Sequence, residues 1–489
     1  MTEFQIYSEK FYEQLDEIID KVTEENTDIP YLSLEEYSKQ QKIVEDFLKR
    51  NHLKIYGGIA LDKFMPDNDK IYPNKKGKLI DYDAYSPSPR KHAVELGNEL
   101  FQAGFKYVSV REGVNAGVYK VFNYFQEAAD IVYIPEKIYN IIPYKTIDGL
   151  NYVSPKYLKI DLLVALTNPV HAIFRWDKDF ERLQKLEKYF PPEKPKQFCE
   201  KTQGKYYKST LNDIIDKFFT DRDDYILLGD MAYYAYMNTS GLSDYYQPEV
   251  KYLEIGMNNP SLIFPELRKV TNNKIKIKKY HPFLKHIPTR YIITPNDKEN
   301  HIILIIYELN EKCVPYIEYN GAKVISYHGL VLYYNFMIYL SSIYGIRDRV
   351  LISECCLYDL ERGKNYYFKR TGQNEFSDSI FKGFIIPCVG NEKNIYRESK
   401  IRGWNKGKIF SYVPSKREHL VLAEKVPPGI VRFVSGEFDK EISWIEFFMY
   451  PISKYFLFIW TNIIIRYNLF LFVYKIFSVL PPFFNCIIR

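Results

Sequence analysis

Residues 54–62 read K-I-Y-G-G-I-A-L-D, and residues 79–85 read L-I-D-Y-D-A-Y. A short apolar run meets two adjacent glycines, and two aspartates then stand one residue apart inside another apolar run. This predicts a strand over Leu53–Tyr56, a turn at Gly57-Gly58, a helix from Ile59 to Phe64 and a second strand over Leu79–Tyr85. On that second strand, residues two apart face one way, so Asp81 and Asp83 project from the same side. Two carboxylates that close repel each other, and a divalent cation relieves the repulsion. Magnesium takes hard oxygen ligands, commonly one or two carboxylates completed by substrate phosphates. The glycine turn lets backbone N–H groups approach a phosphate at the start of a helix. A lone Asp-x-Asp is most often a solvated strand edge and a lone Gly-Gly a turn. Their order and spacing here make a phosphate-and-metal site the more specific reading.

The surroundings extend this unit into an α+β domain. Residues 4–24 and 33–50 carry apolar residues at helical spacing, the second opening with a capping box at Ser33-Leu34-Glu35-Glu36. After the Asp-x-Asp strand, Ser88-Pro89 starts a helix that Gly104 ends, and strands are expected over Phe105–Val110, Val118–Phe125 and Ala128–Ile134. Ser154-Pro155 starts another helix, and a charged helix W-D-K-D-F-E-R-L-Q-K-L-E-K-Y-F runs into P-P-E-K-P-K, where a domain boundary is placed near residue 191. A two-metal site needs a third carboxylate from a neighbouring strand. Asp130 and Asp161 are the candidates. Asp130 is chosen because it sits on the apolar face of a strand, where an acid is costly unless paired or metal-bound. Asp161 reads as a helix residue paired with Lys159 or another basic group.

At 489 residues the chain has room for two or three domains. Beyond residue 191, L-G-D-M-A-Y-Y-A-Y-M (228–237) can be laid on Y-G-G-I-A-L-D-K-F-M (56–65), and Y-L-E-I-G-M-N-N-P-S then falls against L-I-D-Y-D-A-Y-S-P-S. On that alignment Asp230 replaces the second glycine, Glu254 the first aspartate and Gly256 the second. The second half would then be a repeat that has lost its chemistry. The expected organisation is helices over 1–50, a catalytic domain over 51–191, a C-terminal domain over 192–435 and an apolar tail over 436–489.

The net charge of +6 leaves polyanion binding open without requiring it. The 45 tyrosines and 33 phenylalanines, beside abundant Ile, Lys and Asn, read first as A/T-rich coding and only second as stacking surfaces. The 6 cysteines are scattered without a C-x-x-C, which indicates neither a zinc site nor a disulfide framework and points to a reducing compartment. The polar N-terminus lacks a secretory leader, so a cytosolic location is expected. In the tail, the uncharged stretch between Lys454 and Arg466 is shorter than the ~18–20 residues a membrane-spanning helix needs. Packing of the tail on the core or on a second subunit is favoured over an interfacial membrane segment.

Gly57-Gly58, Asp81-x-Asp83 and a later strand aspartate resemble the nucleotidyltransferase superfamily related to DNA polymerase beta. More narrowly, Y-G-G-I-A, D-Y-D-A-Y-S-P, G-F-K-Y-V, A-D-I-V-Y-I-P and F-E-R-L-Q-K-L-E-K-Y-F-P look like the poly(A) polymerase catalytic subunits of nucleocytoplasmic large DNA viruses. The resemblance implies a nucleotidyltransferase-type mixed sheet with flanking helices, preceded by helices and followed by a silent second α/β domain. It implies that Asp81, Asp83 and Asp130 hold two Mg²⁺ (or Mn²⁺) ions, that Gly57 and Gly58 contact the phosphates of ATP, and that AMP is added to an RNA 3′ end. A homodimer and a viral processivity subunit are both open as partners, and the host cytoplasm or the virion as location. Two other readings stay open: the same chemistry on a tRNA end, a protein or a small molecule, and a non-catalytic RNA-binding subunit.

For RNA, N-K-I-K-I-K-K-Y-H (273–281) as a strand puts Lys274, Lys276 and Lys278 on one face; an edge strand protected by lysines explains it equally well. R-E-S-K-I-R-G-W-N-K-G-K (397–408) mixes Arg402, Lys406 and other cations with Trp404, which suits single-stranded RNA or a plain surface loop.

Overall fold

A computed structural model describes residues 32–72, 81–124, 126–195, 199, 210–220, 222–282, 287–298, 301–405 and 410–414. The expected helix at 4–24, the tail at 436–489 and Lys406 lie outside these residues. Ser33 caps α1 (Leu34–Arg50) with the full reciprocal capping box to Glu36, and acidic residues in its first turn with Lys49 and Arg50 in its last complement the helix dipole. The chain continues through β1 (Lys54–Tyr56), α2 (Gly57–Phe64), β2 (Tyr82–Ser86), α3 (Pro89–Gln102), β3 (Ser109–Glu112), β4 (Val118–Asn123), β5 (Gln126–Tyr133) and α4 (Glu136–Ile141). A hairpin follows, β6 (Tyr144–Ile147) and β7 (Leu150–Val153), turned by Asp148-Gly149, both at positive φ. Helices α5 (Pro155–Leu166) and α6 (Trp176–Tyr189) complete the first half.

The second half runs α7 (Thr210–Thr220), β8 (Tyr225–Leu227), α8 (Gly229–Ser240), β9 (Leu253–Met257), α9 (Phe264–Val270), β10 (Ile275–Tyr280), β11 (Arg290–Pro295) and β12 (Leu304–Glu308). It then adds β13 (Val314–Tyr319), β14 (Ala322–Ile325), α10 (Tyr327–Ile343), α11 (Arg347–Thr371), β15 (Cys388–Val389), α12 (Ile395–Asn405) and β16 (Ser411–Tyr412). Two mixed sheets result, ordered β16-β3-β4-β5-β2-β1-β7-β6 and β10-β11-β12-β9-β8-β14-β13-β15. With the edge strands β15 and β16 set aside, the second sheet repeats the first strand for strand. The first two strands of each half are antiparallel, and the second strand runs parallel to its other neighbour in both. The strand after the hairpin turn runs parallel to the first strand in both.

The register changes the alignment read from sequence. Asp83 stands opposite Tyr56, the residue before Gly57. The backbone of Leu228, the residue before Gly229, bonds Glu254. Glu254 therefore takes the place of Asp83 rather than of Asp81, and Gly256 falls two residues beyond. In the neighbouring parallel strand, Asp83 pairs with Asp130 while Glu254 pairs with Ile305, so the third acid has become an apolar core residue.

One continuous apolar core spans both halves, from Phe47 and Leu48 of α1 to Leu360 of α11, and a smaller one lies between β9–β12 and helices α7 and α9. Tyr157 of α5 packs edge-on against Tyr339 of α10 at 5.0 Å, and buried Lys364 of α11 sits 3.2 Å from Glu187 of α6. Two disulfides, Cys199–Cys355 and Cys313–Cys388, correct the expectation of an unpaired set of thiols. Their partners are 156 and 75 residues apart, so no local spacing announces them. Among the described residues no helix is long and apolar enough to cross a membrane.

Candidate active site

Strand β1 ends at Tyr56 and the chain turns at Gly57, with φ +72°, straight into α2. No side chain caps this helix, so its first N–H groups are left for an incoming acceptor. A Cβ on Gly57 would lie 2.5 Å from the Asp83 carboxylate Oδ2. The glycine is thus needed twice, for the left-handed backbone and for the close approach of the acid. Gly58 packs against the Tyr72 hydroxyl, and a Cβ there would also come 3.0 Å from Nη2 of Arg182. Arg182 in turn donates to that hydroxyl at 3.1 Å.

Asp83 and Asp130 are neighbours across the parallel β2–β5 pair, which puts both side chains on one side of the sheet. Asp81 is exposed, immediately before β2. Burial, with the nearby charge of Asp81, pushes the Asp83 carboxyl up to about 7. Asp130 is pushed up to about 8 by burial and by Glu127, against the pull of Lys120. Lys120, from β4, holds Asp130 Oδ2 at 2.7 Å and also pairs with Glu127. The other oxygen of Asp130, Oδ1, is buried without a hydrogen-bond partner.

Asp161 is helical, on α5, as its sequence context predicts, but its partner is not a lysine. Lys159 pairs with Glu187 at 3.8 Å, whereas both oxygens of Asp161 accept from the Tyr85 hydroxyl at 3.1 and 3.0 Å. Tyr85 stacks on Tyr56 at 4.0 Å with 7° between the rings, so this acid backs the site through two aromatic rings. Burial, with a smaller push from Asp83, raises the Asp161 carboxyl to about 7.

The sequence reading passed over the cations opposite these acids. Arg175, Lys178 and Arg182 recur at helical spacing along α6 and the 3-10 turn Ile173–Arg175 that leads into it. Burial and the two arginines lower the Lys178 ammonium below its ordinary value, which marks the three as one positive cluster. Among the described residues buried Arg182 has no carboxylate in ion-pair range, although a buried guanidinium normally has one. Charged residues at i, i+3 and i+7 were the available signal, hidden in a helix that reads as ordinarily solvated.

Three features bear on whether a divalent cation fits. The donor set is hard oxygen, Asp83 and Asp130 are adjacent, and Asp130 Oδ1 lacks a partner. Among the described residues no three His, Cys, Asp or Glu side chains already form a metal cage. This suits magnesium, which is usually bound by one or two carboxylates and completed by phosphates. Lys274, Lys276 and Lys278 lie on or beside β10, at the outer edge of the second sheet and apart from this cluster. Arg402 and Trp404 belong to α12.

In the second half the same corner is closed. Gly229, φ +57°, lies against the Glu254 carboxylate as Gly57 lies against Asp83. Arg349 of α11 occupies the space in front, 3.0 Å from Asp230 and 3.7 Å from Glu254, with its Nη2 3.1 Å from the Tyr333 hydroxyl. A guanidinium supplies the positive charge that the acids require.

A sequence profile for the poly(A) polymerase catalytic subunit matches residues 42–172. A protein of Acanthamoeba polyphaga mimivirus named as a poly(A) polymerase catalytic subunit is 26% identical over 491 residues, covering 90% of this chain and 82% of that one. One so named from African swine fever virus (strain Badajoz 1971 Vero-adapted) is 32% identical over 157 residues, which is 31% of this chain and 33% of that protein. The fold is similar to the crystal structure of the Megavirus polyadenylate synthase, with a TM-score of 0.72 over 84% of this chain and 85% of that one at 23% identity. The profile match contains the glycine turn and Asp81, Asp83 and Asp130, and the mimivirus similarity extends through the repeated half, so the chain is similar to poly(A) polymerase catalytic subunits along most of its length.

Proposed function

We propose that this chain is a polynucleotide adenylyltransferase that transfers AMP from ATP to the 3′ end of RNA, releasing pyrophosphate. The observation that carries the reading is the register that sets Asp83 beside Asp130 and against Gly57, with a cationic helix face opposite. The triphosphate lies over the N-terminus of α2, where backbone N–H groups of the glycine turn face its oxygens and Arg182 supplies countercharge. Lys178 neutralises charge nearer the α-phosphorus. The RNA 3′-oxygen attacks that phosphorus in line, the new O–P bond forms as the bond to the β-phosphate oxygen breaks, and pyrophosphate leaves on the Arg182 side. Asp130, its carboxylate oriented by Lys120, takes the proton from the 3′-hydroxyl in this reading. A divalent cation, Mg²⁺ or Mn²⁺, held by Asp81, Asp83 and Asp130 supplies Lewis-acid activation of the hydroxyl and charge compensation for the pyrophosphate.

The word subunit in the relatives' names supports a partner, either a second copy or a separate processivity factor. The host cytoplasm or the virion is the proposed location. The test is extension of an oligo(A) primer with labelled ATP. Asp83→Ala is expected to abolish Mg²⁺-dependent extension while oligo(A) binding persists. A wild-type protein that does not extend RNA with ATP, or an active Asp83→Ala variant, sinks the proposal.

A further inference from the structure

We infer that the turn before α6 and the exposed face of α12 form the track for the single-stranded RNA primer, with Phe174 as the platform on which its 3′-terminal base stacks. The inference rests on the adenylyltransferase reading and adds the path by which the acceptor enters. Phe174 is 79% exposed, the most exposed large apolar side chain among the described residues, and Val170 and Ile173 beside it are each 51% exposed. An aromatic ring left in water costs free energy, so its placement one residue before a cation of the active site calls for a ligand with a flat apolar face.

The direction follows from α6. Arg182 sits at the glycine turn, the pyrophosphate end. Arg175 lies seven residues back, about 10 Å along the helix axis. Arg175, held by Asp179 at 3.0 Å, closes the cationic face at the end remote from the glycine turn. In-line displacement puts the attacking oxygen opposite the leaving group. The side of the site that holds Arg175 and Phe174 is thus the side from which the 3′-hydroxyl arrives.

Continuity comes from α12. The His171 ring Nε2 is 2.7 Å from the carbonyl oxygen of Lys393, which fixes the start of α12 against the same turn. From there Tyr396, 61% exposed, and the exposed Arg397 and Lys400 continue the surface along α12. Alternation of aromatic faces with cations is what a sequence-tolerant single-strand site requires: rings for the bases, charges for the phosphates.

The test measures binding of 5′-fluorescein-labelled oligo(A) by anisotropy, without ATP or metal, beside KM for ATP in the extension assay. Phe174→Ala is expected to weaken oligo(A) binding about tenfold with KM for ATP unchanged, and Phe174→Trp to retain binding. The double variant Arg397→Gln/Lys400→Gln is expected to lower the slope of log K against log salt by about 1.4, the release from two single-strand phosphates. Unchanged oligo(A) affinity in Phe174→Ala overturns the inference; with a raised KM for ATP the platform serves the incoming nucleotide instead. A wild-type chain that binds oligo(A) through Phe174 but does not extend it refutes the adenylyltransferase reading and leaves the track standing.

Discussion

Replacing Gly57 by alanine separates the two things that this glycine does. At φ +72° an alanine adopts the left-handed region at a cost of about 1–2 kcal/mol, which lowers stability modestly. The larger consequence is geometric. The new methyl would stand 2.5 Å from Asp83 Oδ2, and restoring ordinary contact moves the carboxylate or the turn by about 1 Å. A displacement of that size in a reacting group costs about 100-fold in rate. The expectation is a fall of that order in kcat for oligo(A) extension, with oligo(A) affinity unchanged, since the primer track does not include the turn. Gly229→Ala is the matched control, because a Cβ there meets the Glu254 carboxylate even more closely in the same backbone conformation. It is expected to lower the melting temperature at least as much as Gly57→Ala and to leave kcat near wild type. A Gly57→Ala enzyme within about threefold of wild type, or a Gly229→Ala enzyme equally slowed, refutes the claim that only the first corner carries the chemistry.

Two further substitutions read the cations. Arg182→Ala is expected to raise KM for ATP about tenfold with oligo(A) affinity unchanged, as checked by steady-state kinetics and anisotropy; a change confined to RNA binding contradicts its place at the phosphates. Arg349→Met leaves Asp230 and Glu254 facing each other in the core and is expected to cost about 3–5 kcal/mol at neutral pH in urea unfolding. Burial already holds the Glu254 carboxyl above its ordinary value with the arginine present. Without the arginine its folded-state value rises further, so the variant loses stability as pH rises above the unfolded carboxylate range and regains it on acidification. A variant deficit independent of pH rules out the buried carboxylates as its source.

The first half was legible because its signals are local. The capping box at Ser33, the glycine turn and the Ser-Pro helix starts each depend on neighbours within a few residues and appear where expected. The Asp-x-Asp strand, expected over Leu79–Tyr85, runs instead over Tyr82–Ser86, with Asp81 just before it and residues 79–80 outside the described residues. The third expected strand was misplaced: it begins at Ser109 rather than Phe105, because Tyr107 takes a positive φ that propensity does not foresee. The β6–β7 hairpin escaped notice although Asp148-Gly149 is a strong turn signal, since Tyr144–Val153 lacks a clean polar–apolar alternation. What sequence could not supply is who faces whom at long range. Tyr85 rather than Lys159 meets Asp161, Lys120 reaches Asp130 across a strand pair, and four cysteines find partners far along the chain. The repeat was visible in letters but two residues out of register, because Asp81 and Asp83 offer equally good matches to Glu254 until hydrogen bonding decides.

That register error bears on how the corresponding corner of the second half differs from the first. A fold that brings a strand acid against a glycine turn creates a buried negative charge that only a cation can stabilise. In the first half the third acid and the glycine pair are both present, and the countercharge is proposed to come from a bound metal. In the second half the changes are coupled: Asp130 becomes Ile305, Gly58 becomes Asp230, and the charge is supplied from within by Arg349 on α11. Loss of a metal site by deletion of all its acids would leave that corner to be rebuilt as an apolar core. Retention of Glu254 with an internal guanidinium keeps the corner tightly specified, with Tyr307, Tyr333 and Tyr334 hydrogen-bonded around it. The helices that carry this network also bear Tyr339 and Lys364, which meet Tyr157 and Glu187 of the first half. The second half thus buttresses α5 and α6, the helices that carry Asp161, Lys178 and Arg182 beside the proposed catalytic corner.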